Sequence, residues 1–528
     1  MILTKNKALV PFLGEKLSII RGLDPLGLQI TSESTYGVLL PGLTNVTHRI
    51  RYYGFHCWLL DQFATHVGKA DPKQQQDFVR RAELMVALII RLLGTKPLHI
   101  PGSAYADRMI ASNTDGVYRL DEGADSRPGG NPDTYWKARM GAFGQYYAGS
   151  MRAMGLVGTS AANDQVFVRT SEQVGGISGQ QLAAAFSVGI PEPVQHLFLR
   201  NIEAGRFREP DLKALAPYFD LSRLHSGSAE EALYLQLLTG VDLPLQEDLA
   251  SSPFHRKASL RLALSYLHQD QARTTRDFLA DNYLAAGAGA EELTLRGWYF
   301  YQLNEYWQVA CSSVLAAMLR GQDKDGGYVH LPTFLVEFTE QIGEQLQELV
   351  PGLDVNKPLS AFLEGNDLQH QEEEQYAVIC RELLDYVEPA VQAAAGLALI
   401  GLIYHRNHAH FTKLRQYAKD RDLLREGNFL AYAQQLLAKR DWTMMEFIHD
   451  FLHRDIILRH QYVSMRKMGT GQQSSQKFEV EGEWLRRTDT MSARFSDPRL
   501  DVLLLMAADL HLIDQNNVLT AQGRALIA

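Results

Sequence analysis

The chain has 528 residues, a formal net charge of −9, 46% hydrophobic and 21% charged residues. That length predicts several domains, and that composition excludes a largely disordered chain. The acidic balance excludes a general attraction to nucleic acid, so any contact with DNA or RNA is a local patch or is made through a partner.

The opening "MILTKNKALVPFLGEK" lacks the apolar core and cleavage site of a signal peptide, so a cytoplasmic protein is expected. Cys57, Cys311 and Cys380 are far apart, form no CxxC pair and lie in apolar segments. They read as buried thiols in a reducing compartment, and a zinc site on cysteine is not expected.

The first unusual stretch is "STYGVLLPGLTNVTHRIRYYGFHCWLLDQFATHV", Ser34 to Val67. The Pro41-Gly42 turn places Thr44 to cap a helix. On that helix Ile50, Tyr53, Cys57 and Leu60 fall on one face, with Trp58 alongside, as a core stripe does. Arg49, Tyr52 and His56 make a neighbouring strip, and Arg51 lies apart from both. Two readings stay open. Arg49 and Arg51 contact a phosphate or a partner's acidic loop, or they satisfy buried carboxylates.

Helical periodicity then dominates. "DPKQQQDFVRRAELMVALIIRLLG" has Pro72 near its start and Gly94 at its end, the usual helix asymmetry. "EEQYAVICRELLDYVE" reads as another helix. "AVQAAAGLALIGLIYHRN", from Ala390, is too short for a comfortable membrane span and reads as a buried helix. The run from Asn428 to Met468 is very long, and Asp441 is the expected restart of a second helix.

Two places break the helical pattern in the same way. After "MGLV" come a polar turn, the strand "QVFVRT" and a helix restarting after Gly179. After "LHLI" come "DQNN", "VLT" and "GRALIA". A helix, a short β-wing and a helix opening near glycine outline a winged-helix-like piece.

The chemical candidates are few. His405, His408 and His410 cluster in "YHRNHAHF", where no carboxylate completes a metal site; His449 and His453 lie one turn apart, and HExxH is absent. No metal or other cofactor is expected. Glu305, inside "GWYFYQLNEYWQVA", is a carboxylate in aromatic surroundings that either does acid chemistry or pairs with an arginine. "GQDKDGGYVH" lacks the last EF-hand glutamate. No Walker motif, GxGxxG or GxSxG elbow is present. "RDIILRH" resembles the signature of HEPN ribonucleases, which implies Arg454 steadying a phosphate and His460 in acid–base chemistry.

The fold expected is mainly α and multi-domain, with winged-helix-like pieces near the front and at the C-terminus. Its domains are 1–190, a helical body at 191–470, and a docking piece at 471–528. That layout resembles the kleisin-type partners of SMC-like ATPases. "LLPGLTNVTHRIRYYGFHCWLL", "WYFYQLNEYW" and "SARFSDPRLDVLLLMAADLHLI" resemble the accessory, non-ATPase subunit of Lamassu-type bacterial defence systems. The resemblance implies a non-catalytic scaffold joining an SMC-like ATPase to an effector, with DNA reached through the complex. The alternatives are a HEPN-like ribonuclease using Arg454 and His460, and a winged-helix DNA-binding regulator.

Overall fold

The computed structural model describes residues 18–19, 24–67, 71–127, 133–172, 176–240, 253–269, 273–286, 293–364, 387–467 and 473–528. Cys380 and nearly all of "EEQYAVICRELLDYVE" lie outside them. The protein is mainly α-helical with small sheets. It divides into two compact units, each drawn from separate stretches: residues 36–278 with 497–528, and residues up to 35 with 279–496. This division cuts across the three consecutive spans read from sequence. Residues 471–496 and 497–528 fall in different units.

In the unit of residues 36–278 and 497–528, helix α1 (Arg51–Gln62) is buried at every position from Arg51 to Leu60. The expected one-sided stripe is therefore a helix enclosed on all sides. It begins at Arg51 and not after Thr44, because the Thr44 hydroxyl accepts from Val46 N–H in a local turn, 3.4 Å away. Helix α2 (Pro72–Leu92) starts as the sequence predicts. Asp71 accepts from the Lys73 and Gln74 amides and proline follows it. Helix α3 (Ser103–Ser112) packs on α2.

Next, α4 (Ala148–Ala153) leads through the hairpin β1 (Val157–Ser160) and β2 (Asn163–Arg169) into α5 (Gly179–Val188), which packs along α1. Helices α6 (Ala229–Thr239) and α7 (Pro253–Gln269) complete this front part.

In the other unit, α8 (Leu293–Gly321) is enclosed from Gly297 to Leu319. It packs against α10 (Pro389–Asn407), and α9 (Leu331–Leu349) packs on α10 as well. Among the described residues no helix is long and apolar enough to cross a membrane.

The long run from Asn428 breaks into α11 (Phe429–Ala438), α12 (Met444–Asp450), a wider π-type turn at Phe451–Leu458 and α13 (Arg459–Lys467). The restart is Thr443, not Asp441. Thr443 and Glu446 form a reciprocal capping box. Strand β3 (Tyr328–His330) pairs with β5 (Trp484–Arg487), which pairs with β4 (Phe478–Glu481). Val329, Phe478 and Leu485 point into the core, the alternation a half-buried sheet requires.

The chain then returns to the first unit as α14 (Leu500–Asp509) and α15 (Ala521–Ile527), which pack on α7. Here the two wing-like pieces prove to be one device used twice. Gly155 and His511 end the preceding helices with φ of 74° and 54°. The next amides, Leu156 and Leu512, bond back to Met151 and Ala507 carbonyls at 2.8 and 2.9 Å.

Across each hairpin, the Thr170 and Thr520 amides bond to the Leu156 and Leu512 carbonyls, both at 3.0 Å. Each threonine hydroxyl donates to the preceding carbonyl, Gly155 at 2.7 Å and His511 at 2.6 Å. It accepts from a glycine in the first turn of the next helix, Gly179 at 2.9 Å and Gly523 at 3.1 Å. A Cβ at either glycine would run into the Leu156 or Leu512 carbonyl oxygen.

The last piece is not a detachable module. Leu500, Leu503, Met506 and Leu512 are fully buried. Leu503→Ala is expected to cost about 2–5 kcal/mol, the range for emptying a buried leucine site. Deleting residues from Asp497 onward should lower the melting temperature more than that substitution does. Thermal and urea unfolding measure both, and a truncated chain that melts like the full one would show the piece to be independent.

Candidate functional site

Arg49 and Arg51, the sequence-predicted contact residues, are both engaged within their own unit. Arg51 is 5% exposed. Its Nε lies 3.2 Å from both Glu230 carboxylate oxygens, and its Nη1 donates to the Asp220 and Arg223 carbonyls at 3.0 Å. Tyr234 donates to Glu230 at 2.7 Å and accepts from Gly54 N–H at 3.1 Å. Arg51 thus clamps α1 to α6 and to the turn before it.

Arg49 pairs with Asp509 at 2.6 Å, its side chain 18% exposed, and donates to the Leu98 carbonyl. Asp509 also accepts from Ile50 N–H at 3.3 Å, so the end of α14 caps the start of α1. Burial raises the Asp509 pKa, and Arg49 pulls it back. Of the two sequence readings, this geometry matches arginines that satisfy buried carboxylates.

Behind α1 lies a sealed polar cluster. Glu83 on α2 accepts from Tyr135 Oη at 2.5 Å, Phe143 N–H at 2.6 Å and Ala142 N–H at 2.9 Å. His56 Nε2 sits 3.6 Å from Glu83 Oε1. Burial pushes His56 down to about 3 and Glu83 up to about 7. Both shifts favour the uncharged forms, and at 3.6 Å His56 Nε2 makes no hydrogen bond to Glu83. Both side chains are 1% exposed, so no substrate reaches them.

Arg454 and His460 are not brought together as a catalytic pair. Arg454 is exposed, and His460 is fully buried. His460 Nδ1–H donates to the Pro25 carbonyl at 3.0 Å, and Nε2 accepts from Lys477 N–H at 2.9 Å. Both ring nitrogens are spent on backbone, so the ring has no lone pair to offer a substrate. Burial first, opposed by the Pro25 bond, lowers its pKa to about 4.

Among the described residues Glu305 in α8 bonds to amides and to no arginine. It accepts from Ser496 N–H at 2.6 Å, and burial raises its pKa. Among the described residues no three His, Cys, Asp or Glu side chains gather as a metal site, His405, His408 and His410 included.

What sequence reasoning missed is an open groove of about 430 Å³ in the unit that carries α1. His48, His99, Tyr105, Arg108, Trp136 and Tyr146 line it, with Tyr135 at its edge toward Glu83. These residues come from three separate stretches, and no local pattern marks them. The His48 and His99 rings stack at 3.7 Å, and Trp136 meets Tyr146 edge to face at 5.1 Å. Burial lowers both histidine pKa values, and His99 lowers that of His48 further. Compared with known proteins, the chain matches no family model, no curated protein and no solved structure.

Two tests separate structural from contact roles. Arg51→Glu should destabilise by about 3–5 kcal/mol, because it leaves Glu230 facing a second buried carboxylate, while Arg454→Glu should stay within about 0.5 kcal/mol. Urea melts of the two variants measure the difference, and a mild Arg51→Glu would show that Glu230 has another partner.

The neutral His460 ring stabilises the fold fully above about pH 6.5, its unfolded value. That stability, on the order of 3 kcal/mol, is lost as pH falls toward 4. His460→Gln should therefore be less stable at pH 7 and should lose part of the acid-side slope of melting temperature against pH. An unchanged slope would mean that His460 does not titrate in this range.

Proposed function

We propose that the chain is a non-catalytic scaffold subunit, acting in the cytoplasm, that joins an SMC-like ATPase to an effector in a bacterial defence complex directed at foreign DNA. The ATPase partner comes from the resemblance to kleisin-type and Lamassu-type accessory subunits. One structural observation supports a docking role: the same helix–hairpin–helix device occurs twice in one unit, and neither copy offers a basic surface.

In the first copy the hairpin tip exposes Ala161, Ala162, Asp164 and Gln165. Its arginines are committed, Arg169 to Asp61 at 2.7 Å and Arg152 over the Phe167 ring at 4.8 Å. In the second copy the turn exposes Asp514, Gln515, Asn516 and Asn517, and Arg524 donates to the Leu519 carbonyl. Neutral and acidic tips favour a protein partner over a phosphate backbone. The same point weighs against a DNA-reading regulator. The ribonuclease alternative needs a His460 nitrogen that is not already bonded to backbone.

The test is recovery of the tagged chain from its native cells, beside Gln165→Arg and Gln515→Arg. Exposed substitutions of this kind leave stability within about 0.5 kcal/mol. The expected result is that the unaltered chain brings down a protein with Walker motifs flanking a long heptad region, and that the variants recover less of it. Recovery of the chain alone, or ribonuclease activity abolished by Arg454→Ala in a folded protein, would overturn the scaffold reading.

A further inference from the structure

We infer that the groove lined by His48, His99, Tyr105, Arg108, Trp136 and Tyr146 is a binding site for a free mononucleotide, its base stacked on the Trp136 ring and its phosphate paired with Arg108. The site is independent of any docking role.

Size comes first. About 430 Å³ lies within the range of small-molecule pockets, roughly 300–1,000 Å³. The lining is rich in flat rings, and base–aromatic stacking stabilises a bound base by about 1–3 kcal/mol. Those rings are fixed in place beforehand. The Trp136 indole N–H donates to Gln145 at 2.7 Å, and Tyr135 is held between Glu83 and the Arg80 guanidinium, 5.0 Å from its ring centre. Rigid walls reduce the entropy lost on binding.

Polarity comes second. Among the described residues, Arg108 is the one formally charged side chain of the lining and no carboxylate lines the groove. Arg108 lies over the Tyr105 ring at 5.1 Å and reaches Asp133 at 2.9 Å. The Arg108 and Asp133 side chains are 59% and 70% exposed, so that pair contributes little and gives way to a phosphate. A guanidinium grips phosphate through paired N–H bonds.

The stacked imidazoles supply the rest. Burial lowers both pKa values, His99 lowers that of His48 further and Arg49 that of His99, so the neutral rings are favoured. A neutral imidazole offers one donor and one acceptor, which suits the polar edge of a base. A continuing strand is disfavoured, because the chain is acidic and Asp107 and Asp133 flank Arg108 along and beyond α3.

The experiment is calorimetric titration of the full chain with AMP, GMP, CMP and UMP, with the four matching nucleosides, and with inorganic phosphate and a short single-stranded oligothymidylate. At least one mononucleotide should bind one to one, about tenfold more tightly than its nucleoside, a difference of about 1.4 kcal/mol. Arg108→Ala should erase that tenfold advantage at an unchanged melting temperature, and Trp136→Leu should weaken nucleotide and nucleoside alike. No saturable binding of any mononucleotide at millimolar concentration, or binding unaltered in both variants, overturns the inference. An oligonucleotide held more tightly than every mononucleotide overturns the choice of a free nucleotide.

Discussion

Each unit is organised by a helix that is enclosed on all sides and yet carries polar side chains. A buried polar group without a partner costs free energy comparable to a lost hydrogen bond. The enclosing elements must therefore bring those partners to fixed positions. Around α1, Glu230 and the Asp220 and Arg223 carbonyls meet Arg51. Ser150 meets the Tyr53 hydroxyl at 2.6 Å, and Gln195 meets the Trp58 indole at 3.2 Å. Around α8, Asn304 accepts from Phe429 N–H at 3.1 Å, Trp307 donates to the Gly427 carbonyl at 2.8 Å, and Tyr299 donates to Asn407 at 2.7 Å. These bonds choose one packing among the many that the apolar surface alone would allow.

That constraint explains which parts of the fold are legible in the sequence. Local signals read correctly: the Asp71-Pro72 start, the positive φ of 74° at Gly94, and the repeated order of helix, short hairpin and helix with a glycine near its start around Thr170 and Thr520. Each depends on bonds between residues close in the chain. The environment of α1 does not read out, because Glu83 and Glu230 come from other helices, and no periodicity says that Arg51 will be enclosed. A stripe at three- and four-residue spacing shows one buried face; it does not show that the other faces are buried too. Thr44 fails as a cap for a related reason, since its hydroxyl closes a turn with Val46 and Thr47 first. The groove is illegible for the plainest reason, that its rings meet only once three distant stretches have folded.

Perturbed titratable groups divide by access. His56, Glu83, His460 and Glu305 owe their shifts mainly to burial and lie where no substrate reaches. Strong shifts mark functional sites only when the group also faces a cleft. Here the same shifts are the electrostatic cost of the polar bonds that specify the packing. The histidines that do face open space, His48 and His99, are shifted by partial burial, and in His48 also by its neighbour.

The return of residues 497–528 to the first unit bears on how such a chain could act. In this protein both hairpin devices belong to one compact unit, and the second is held there by the Arg49–Asp509 pair and by the packing of α14 and α15 on α7. A partner engaging both devices would therefore meet a single body, with the spacing between the tips set by that body's core and not by a linker. Fixed spacing favours one partner geometry over others, because no chain entropy is lost in bringing the two contacts together.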